Sequence, residues 1–185
     1  MKKKKSLFMD TRGITLVEIL IVTAIMSILL GISFVGYNER GEELQLQRAA
    51  FKVMADIEKT RGMAMSAQEE KISEQIPEGG WGIYFNPALS NKYIIFPDKR
   101  YLAFPLNYIY DAATEEPEEE IFLEDGVLLD IPLPINIVFS PPSPDVYLQG
   151  GAPISEINVI IALENNPSKT KTIVINSAGV ITTNN

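Results

Sequence analysis

The chain has 185 residues, 46% of them hydrophobic, which suits one folded domain with an appendage. Cysteine and histidine are both absent, which excludes disulfides, thiolate nucleophiles, the commonest metal ligand and the usual general base, and so argues against an enzyme. The net charge of −8 is uneven, because residues 1–13 carry +4 and residues 14–185 therefore carry −12, and such an acidic body disfavours nucleic-acid binding.

The chain begins with a basic leader, residues 1–13, which is followed by an apolar segment, residues 14–35. This order is a membrane-orientation signal that keeps the lysines on the cytoplasmic side. As a helix, the 22 residues of the apolar segment would cover about 33 Å, close to the thickness of a bilayer core. A cleaved secretory signal is disfavoured, because its apolar region would be shorter and would end at a small-x-small site.

Glu18 is the only charge in the apolar segment, and a charge in hydrocarbon needs a partner or a proton. A plain membrane anchor leaves Glu18 unexplained. Cleavage between Gly13 and Ile14 would supply the partner, because Ile14 would then bear a free amine about one helical turn from Glu18. In an assembly of such helices, Glu18 of one copy can meet the Ile14 amine of its neighbour. That buried pair need not add stability, but it can fix the axial register.

The lysine-rich leader, Gly13, the sequence Ile-Thr-Leu-Val-Glu and the long apolar helix resemble the signal of type IV prepilins and type II secretion pseudopilins. The resemblance implies that a prepilin peptidase cuts after Gly13 and methylates the new terminus at Ile14, and that Glu18 guides assembly. The family most often has Phe where this chain has Ile14. The resemblance also implies a single-pass protein of the cytoplasmic (inner) membrane, with its N-terminus in the cytoplasm and its head outside, which then enters a pilus or pseudopilus.

Three glycines, Gly31, Gly36 and Gly41, recur every five residues at the end of this segment and beyond it. Each weakens a helix by roughly 0.5–1 kcal/mol relative to alanine. One interpretation is that the helix unwinds locally here when subunits pack or a filament is pulled. The other is that the glycines allow close helix packing, or simply join the membrane part of the chain to its extracytoplasmic part.

An amphipathic pattern begins at Glu42 and predicts that the helix continues to about Ala67. Its apolar stripe is expected to be the core face of a globular head rather than a second partner site. The residues of this stripe are Leu46, Ala50, Val53, Ile57 and Ala64.

Beyond Gln68 the chain is rich in β-branched and aromatic residues and is punctuated by glycine and proline, which predicts strands. The candidate strands are Trp81–Phe85, Lys92–Phe96, Tyr101–Phe104, Glu120–Leu123, Val127–Ile131, Ile135–Phe139, Val146–Leu148, Ile157–Leu163, Lys171–Ile175 and Val180–Thr182. The segments EINVIIAL and KTIVIN predict the clearest hairpin, and NSAG predicts a turn into a short final strand. Short connections predict mainly antiparallel sheets with the long helix over one face.

The head also resembles a particular pilin group. The order of GGWGIYF, KYIIFPD and TIVINSAGVITT is similar to GspH/FimT-like pilins, which implies a minor subunit. The predicted fold is therefore α+β, a pilin fold. Its expected parts are a leader peptide (1–13), a transmembrane and assembly helix (14–37), an amphipathic continuation (38–67) and a β-rich head (68–185).

Four features of the head have residue types that occur in binding sites. The acidic stretch 111–120 lacks the alternating Asp/Asn pattern and turn glycine of a calcium loop, so a solvated loop is favoured over an ion site. SPPSPD, residues 140–145, is expected to be a connector between strands rather than a display loop. Trp81 is expected to pack in the core rather than to serve adhesion. Lys169 and Lys171 are too few, against an acidic body, to predict DNA binding.

Two classes of function remain open. The first is a structural subunit whose partners are prepilin peptidase, other pilin or pseudopilin subunits and the membrane. The second is a membrane-anchored extracytoplasmic binding domain that never polymerises. Only the first class needs both Gly13 and Glu18. No catalytic residue, cofactor, metal site or nucleic-acid partner is predicted, and the motif does not separate a major pilin, a minor pilin and a secretion pseudopilin.

Overall fold

The computed structural model describes residues 13–71, 73–99, 108–113, 115–141, 145–149 and 155–184. In this part of the chain, one long helix is followed by antiparallel strands, so the predicted α+β class is confirmed. The elements are α1 (Leu16–Met65), β1 (Gly80–Phe85), β2 (Lys92–Asp98), β3 (Glu119–Phe122), β4 (Val127–Leu129), β5 (Ile135–Ser140), β6 (Asp145–Leu148), β7 (Glu156–Leu163), β8 (Asn166–Asn176) and β9 (Ile181–Asn184), with a 3₁₀ turn at Pro87–Leu89. The candidate strand Tyr101–Phe104 lies outside the described residues.

The chain divides after Gly41 into an N-terminal unit and a head that begins at Glu42. The helix α1 contributes residues to both units and is continuous through Gly31, Gly36 and Gly41. In the described part of the chain, no helix combines the length and the apolar character needed to cross a membrane.

The C-terminal end of α1 falls two residues before the predicted end because the backbone turns left-handed at Ala67, where φ is 50°. The Ala67 amide donates to the Ala64 carbonyl at 3.1 Å, and the Gln68 amide donates to the Met63 carbonyl at 3.0 Å. These two bonds form the Schellman arrangement, which satisfies carbonyls at a helix end. Glycine usually occupies the left-handed position, so alanine gave no signal in the sequence.

The strands form two antiparallel sheets. Sheet A has the order β3-β2-β1-β5-β6, and sheet B has the order β4-β7-β8-β9. The predicted hairpin is β7–β8, and the predicted final strand is β9, so both predictions are confirmed. β8 begins earlier than predicted because Leu163 faces Asn166 whereas Ala162 faces Thr170. The three extra residues, which include Pro167, form a bulge that frees proline from a ladder bond it cannot donate.

The core of the head joins the stripe of α1 to the inner faces of both sheets. All five predicted stripe residues are buried, so their assignment to the core face is confirmed. Trp81 is 1% exposed, which confirms its predicted core position, and its Nε1 donates to the Gln68 carbonyl at 3.1 Å. The buried Tyr93 hydroxyl donates to Asp56 Oδ2 at 2.5 Å and so fastens β2 to α1. Burial and the Asp56 carboxylate raise the pKa of Tyr93 well above its ordinary value, which keeps this donor protonated.

The acidic stretch 111–120 is partly exposed, as expected of a solvated loop, with Asp111, Glu116 and Glu120 at the surface. Glu115 is nevertheless buried, and three consecutive glutamates pair with lysines of α1, of β2 and of the segment between α1 and β1. Glu118 pairs with Lys71 at 3.1 Å, Glu119 with Lys59 at 2.5 Å and Glu120 with Lys92 at 2.9 Å. The composition gives no sign of these pairs, because the lysines are distant in sequence and meet the stretch only after the head folds. SPPSPD joins two strands, since Ser140 of β5 pairs with Asp145 of β6, and residues 142–144 between them lie outside the described residues.

Candidate functional site

The start of α1 is capped by its own sequence. The Thr15 hydroxyl accepts a hydrogen bond from the Glu18 amide at 3.2 Å, and the Thr15 carbonyl accepts the Ile19 amide at 3.2 Å. This places Thr15 at the N-cap, where threonine is favoured. Glu18 lies in the first turn, where a negative charge interacts well with the helix dipole. The sequence reasoning missed this local role, although the Thr-x-x-Glu spacing is its signal.

The hydroxyl groups further along this part of α1 are bonded within the helix. Thr23 donates to the carbonyls of Ile19 and Leu20, each at 3.0 Å, and Ser27 donates to the Thr23 carbonyl at 2.8 Å. Among the described residues, no hydrogen bond or ion pair reaches the Glu18 carboxylate. Glu18 is therefore the polar side chain of this segment that the helix itself does not satisfy.

Apolar side chains cover every side of the first part of α1. Thirteen of them between Ile14 and Ile32 are exposed, from 48% at Val22 to 77% at Leu16. A helix that is apolar all round normally lies inside a membrane or a larger assembly. Continuous exposed apolar surface of this kind marks an interaction site.

Gly13 and Ile14 precede the Thr15 cap of α1, and both are exposed. A Cβ atom added to Gly13 would meet nothing within 4 Å, so the fold does not require glycine there. The structure thus brings Gly13, Ile14 and Glu18 together at the first turn of α1 and its approach. The roles of these three residues in cleavage, methylation and register stay predictions.

Residues 9–34 match the family described as the prokaryotic N-terminal methylation motif. The chain carries a pilin-type methylation motif. This motif is characteristic of type IV pilins and pseudopilins, so the resemblance seen in the sequence is confirmed at that level. Neither the search of curated proteins nor the search of solved structures found a match to the chain.

The methylation motif contains all three site residues, Gly13, Ile14 and Glu18. It implies a pilin-like or pseudopilin subunit, which is a structural class of protein rather than an enzyme. It also implies processing by a prepilin peptidase, assembly with other pilins, and attachment to a membrane before entry into a pilus.

The two lysines near the C-terminus lie beside acidic residues of α1. Lys169 pairs with Glu42 at 3.0 Å. Lys169 and Lys171 line a cavity of about 310 Å³ together with Glu43. This acidic surrounding lowers the positive potential that a phosphate backbone would meet. The absence of DNA binding by the head stays a prediction, and the described residues hold no group of three or more acidic side chains suited to a metal ion.

A second polar site, which the sequence reasoning missed, lies in the head. Asp98 is fully buried and Glu115 is 4% exposed. No hydrogen bond of ordinary geometry satisfies the Asp98 oxygens within the described residues, and the polar groups beside them are the Glu115 carboxyl and the Tyr108 amide. Burial and then the nearby Glu115 raise the pKa of Asp98 to about 7. The available signal was the two-residue period of β2, which places Asp98 on the same face as Phe96.

Proposed function

We propose that this chain is a minor subunit of a type IV pilus or type II secretion pseudopilus that polymerises through its apolar N-terminal helix. The observation that carries the proposal is the coincidence of the methylation motif with a helix whose apolar side chains are exposed on every side. The order of the head segments GGWGIYF, KYIIFPD and TIVINSAGVITT supports the GspH/FimT-like, minor-subunit assignment. The role is structural, and no step of it needs a catalytic residue or a cofactor.

Processing is the first step of the proposed pathway. Prepilin peptidase removes residues 1–13 by cutting between Gly13 and Ile14, and it methylates the Ile14 amine. Two observations support this step. The fold has no steric need for glycine at position 13, and Ile14 is 71% exposed, so the bond between them is accessible.

Membrane insertion precedes assembly. Residues 14–37 form the transmembrane and assembly helix, residues 38–67 its amphipathic continuation, and residues 68–185 the β-rich part of the head, outside the cytoplasmic membrane. The length of the apolar segment and the four lysines of the leader support this orientation. The hydroxyls of Thr23 and Ser27, which are satisfied within the helix, suit a lipid environment.

Assembly then uses the two ends of the first helical turn. The Glu18 carboxylate of one subunit pairs with the Ile14 amine of its neighbour, and a methylated amine keeps the charge that this pair needs. The Glu18 amide already serves the Thr15 cap, so the carboxylate can pair without disturbing the start of the helix. Only one stagger of neighbouring subunits satisfies the pair, which is why it sets the axial register.

The processing step has a direct test with a matched control. The full chain is expressed with an active prepilin peptidase, and intact mass spectrometry determines its N-terminus. We expect a chain that begins at Ile14 with one added methyl group. Gly13→Val should keep its leader, whereas Gly41→Val should be cut normally, because an added Cβ meets nothing within 4 Å at either glycine. A wild-type chain that keeps Met1 beside an active peptidase would overturn the proposal.

A further inference from the structure

The part of α1 that packs against the sheets also has an outward face. Three large apolar side chains are exposed on it, Leu44 and Phe51 at 56% each and Met65 at 50%. At about 100° per residue these three fall within one narrow stripe. That stripe lies on the side of α1 opposite the buried Val53 and Ile57. The described residues of the head therefore leave this side of α1 uncovered.

The residues of this stripe follow one another at alternating steps of four and three. All are exposed, and we call them the outward seam: Leu44, Arg48, Phe51, Ala55, Glu58 and Gly62. Alternating steps of four and three are the spacing with which one helix packs along another. A solvated helix face carries mainly polar side chains, whereas the two charged residues are in the minority here. The outward seam thus has the spacing and the composition of a contact between helices.

Side-chain size changes along the outward seam. Its first half contains the large Leu44 and Phe51, and its second half contains the small Ala55 and Gly62. A Cβ atom added to Gly62 would meet nothing within 4 Å, so the head itself has no steric need for glycine there. A second helix shifted by 10 or 11 residues would place Leu44 opposite Ala55 and Phe51 opposite Gly62. Facing surfaces interdigitate when large residues meet small ones, so the seam is complementary in shape to a shifted copy of itself.

The same shift pairs the two charges of the outward seam. Arg48 and Glu58 are 10 residues apart, so Arg48 of one copy would face Glu58 of the next. Among the described residues, Arg48 Nε donates to the Leu44 carbonyl at 3.3 Å, and no carboxylate pairs with the guanidinium. Glu58 has one long contact, 3.8 Å, with Arg61. An exposed pair of that length contributes little, so both charges can pair with a neighbour.

We propose that the outward seam binds a second copy of this chain, parallel to the first and shifted along the helix by 10 or 11 residues, about 16 Å. This contact depends on the proposed function and adds to it a second interface, at the head. The shift exceeds the four residues between Ile14 and Glu18, so the two contacts join a subunit to different neighbours, as a helical filament allows. An antiparallel pair would also bring Arg48 to Glu58, but subunits inserted in one membrane share one direction.

Paired cysteines test this contact, because the chain has no cysteine of its own. The full-length Leu44→Cys/Ala55→Cys variant is expressed with the other components of a pilus or pseudopilus assembly system, and sheared filaments are mildly oxidised. In the proposed arrangement, residue 44 of one copy meets residue 55 of the next, within the roughly 4–7 Å between Cα atoms that a disulfide needs. Non-reducing gels should show linked species of two or more copies.

The matched control is Leu44→Cys/Gly62→Cys. In the proposed arrangement its two cysteines lie about 10 Å apart along the seam, too far for a disulfide, so the chains should stay unlinked. The two cysteines would meet only in an antiparallel pair, and the control therefore reports the direction of the neighbouring helix.

Charge reversal provides a second test that leaves the apolar residues of the seam in place. Arg48→Glu would set a carboxylate opposite Glu58 of the neighbour, so incorporation into filaments should fall on the order of tenfold. Arg48→Glu/Glu58→Arg restores opposite charges and should recover most of the loss, which a defect of folding would not. Glu43→Arg reverses an exposed charge about a quarter-turn away from the seam and should be incorporated like wild type.

Several outcomes would contradict the shifted parallel contact and leave the proposed function standing. These are filaments in which Leu44→Cys/Ala55→Cys stays unlinked, links in Leu44→Cys/Gly62→Cys instead, and links solely to a different protein of the assembly system. A double charge reversal that is incorporated no better than Arg48→Glu would count against the contact in the same way. A mature wild-type chain that never enters filaments would overturn the proposed function and the contact together.

Discussion

At the residue scale, Glu18 has two groups with separate tasks. Its amide completes the cap at Thr15, and its carboxylate is left unsatisfied by the described residues. A helix cap alone would accept many residues at this position, because every residue except proline supplies an amide. The helix dipole favours a carboxylate in the first turn but leaves it without an ion-pair partner, and a neighbouring Ile14 amine would supply that partner.

Tyr93 offers a residue-scale prediction in the head. Tyr93→Phe removes the hydroxyl that donates to Asp56 and leaves that carboxylate without its donor. Hydrogen bonds to charged groups contribute roughly 1.5–3 kcal/mol, so we expect the free energy of unfolding to fall by about that amount. The measurement is denaturant unfolding of the full-length protein. Tyr84→Phe is the control, because its hydroxyl has no hydrogen bond among the described residues, and equal midpoints for the two variants would contradict the prediction.

At the element scale, two glycines in different elements should respond oppositely to alanine. Gly62 lies exposed in α1, where an added Cβ meets nothing within 4 Å, so Gly62→Ala should stabilise the head by roughly 0.5–1 kcal/mol. At Gly82 in β1 the same Cβ would meet the Phe96 ring at 2.4 Å and a Val138 methyl at 2.9 Å. Gly82→Ala should therefore destabilise the head by roughly 1–3 kcal/mol.

The two variants are compared by thermal and denaturant unfolding under one set of conditions. A Gly62→Ala chain that is less stable than wild type would show that α1 needs glycine there for a contact absent from a single head. A neutral Gly82→Ala would show that the Phe96 ring moves aside without cost, and the close approach of ring and backbone would then lose its importance.

The elements were predictable where local pattern decides them, and less so where distant residues decide. Runs of β-branched and aromatic residues between glycines and prolines predicted β1, β2, β5 and β7 nearly to their ends, because these residue types suit buried strands. The start of β8 depends on a bulge beside Pro167, and the end of α1 depends on a left-handed Ala67, and neither has a strong sequence signal. The pairing of Glu118–Glu120 with lysines and the meeting of Asp98 with Glu115 arise only from tertiary contacts.

In the candidate sites, too, local features were predictable from the sequence and contacts between distant residues were not. Gly13, Ile14 and Glu18 are close in sequence, so their spacing carried the whole inference, and the match to the methylation motif over residues 9–34 supports it. The cap at Thr15 was also local and could have been read from the spacing of Thr15 and Glu18. The two buried acids of the head could not, because Asp98 and Glu115 are distant in sequence and no local pattern places them near each other.

At the scale of the whole molecule, the two units differ in how their apolar surface is covered. The head buries its own apolar residues between sheets A and B and residues 46–64 of α1. The N-terminal unit exposes thirteen large apolar side chains and covers none of them within the described residues. The exposed apolar side chains of the N-terminal unit need an apolar environment, and a bilayer followed by a filament of like subunits supplies it.

The most direct test of this account is the incorporation of Glu18→Val into filaments. The wild type and the variant are each expressed with the other components of a pilus or pseudopilus assembly system. The mature subunit is then quantified in the membrane fraction and in the sheared-filament fraction. Valine makes the segment more apolar and leaves the backbone amide of the cap, so insertion and cleavage should hold. Glu43→Val, at an exposed carboxylate further along α1, is the control and should assemble like wild type.

The account predicts that Glu18→Val accumulates in the membrane fraction and is depleted from filaments. Breaking a buried ion pair by removing one partner costs about 3–5 kcal/mol. Because about 1.4 kcal/mol corresponds to a factor of ten, incorporation should fall roughly a hundredfold or more. Mature Glu18→Val that enters filaments as readily as wild type would contradict the register role and leave Glu18 as a charge in an ordinary membrane anchor.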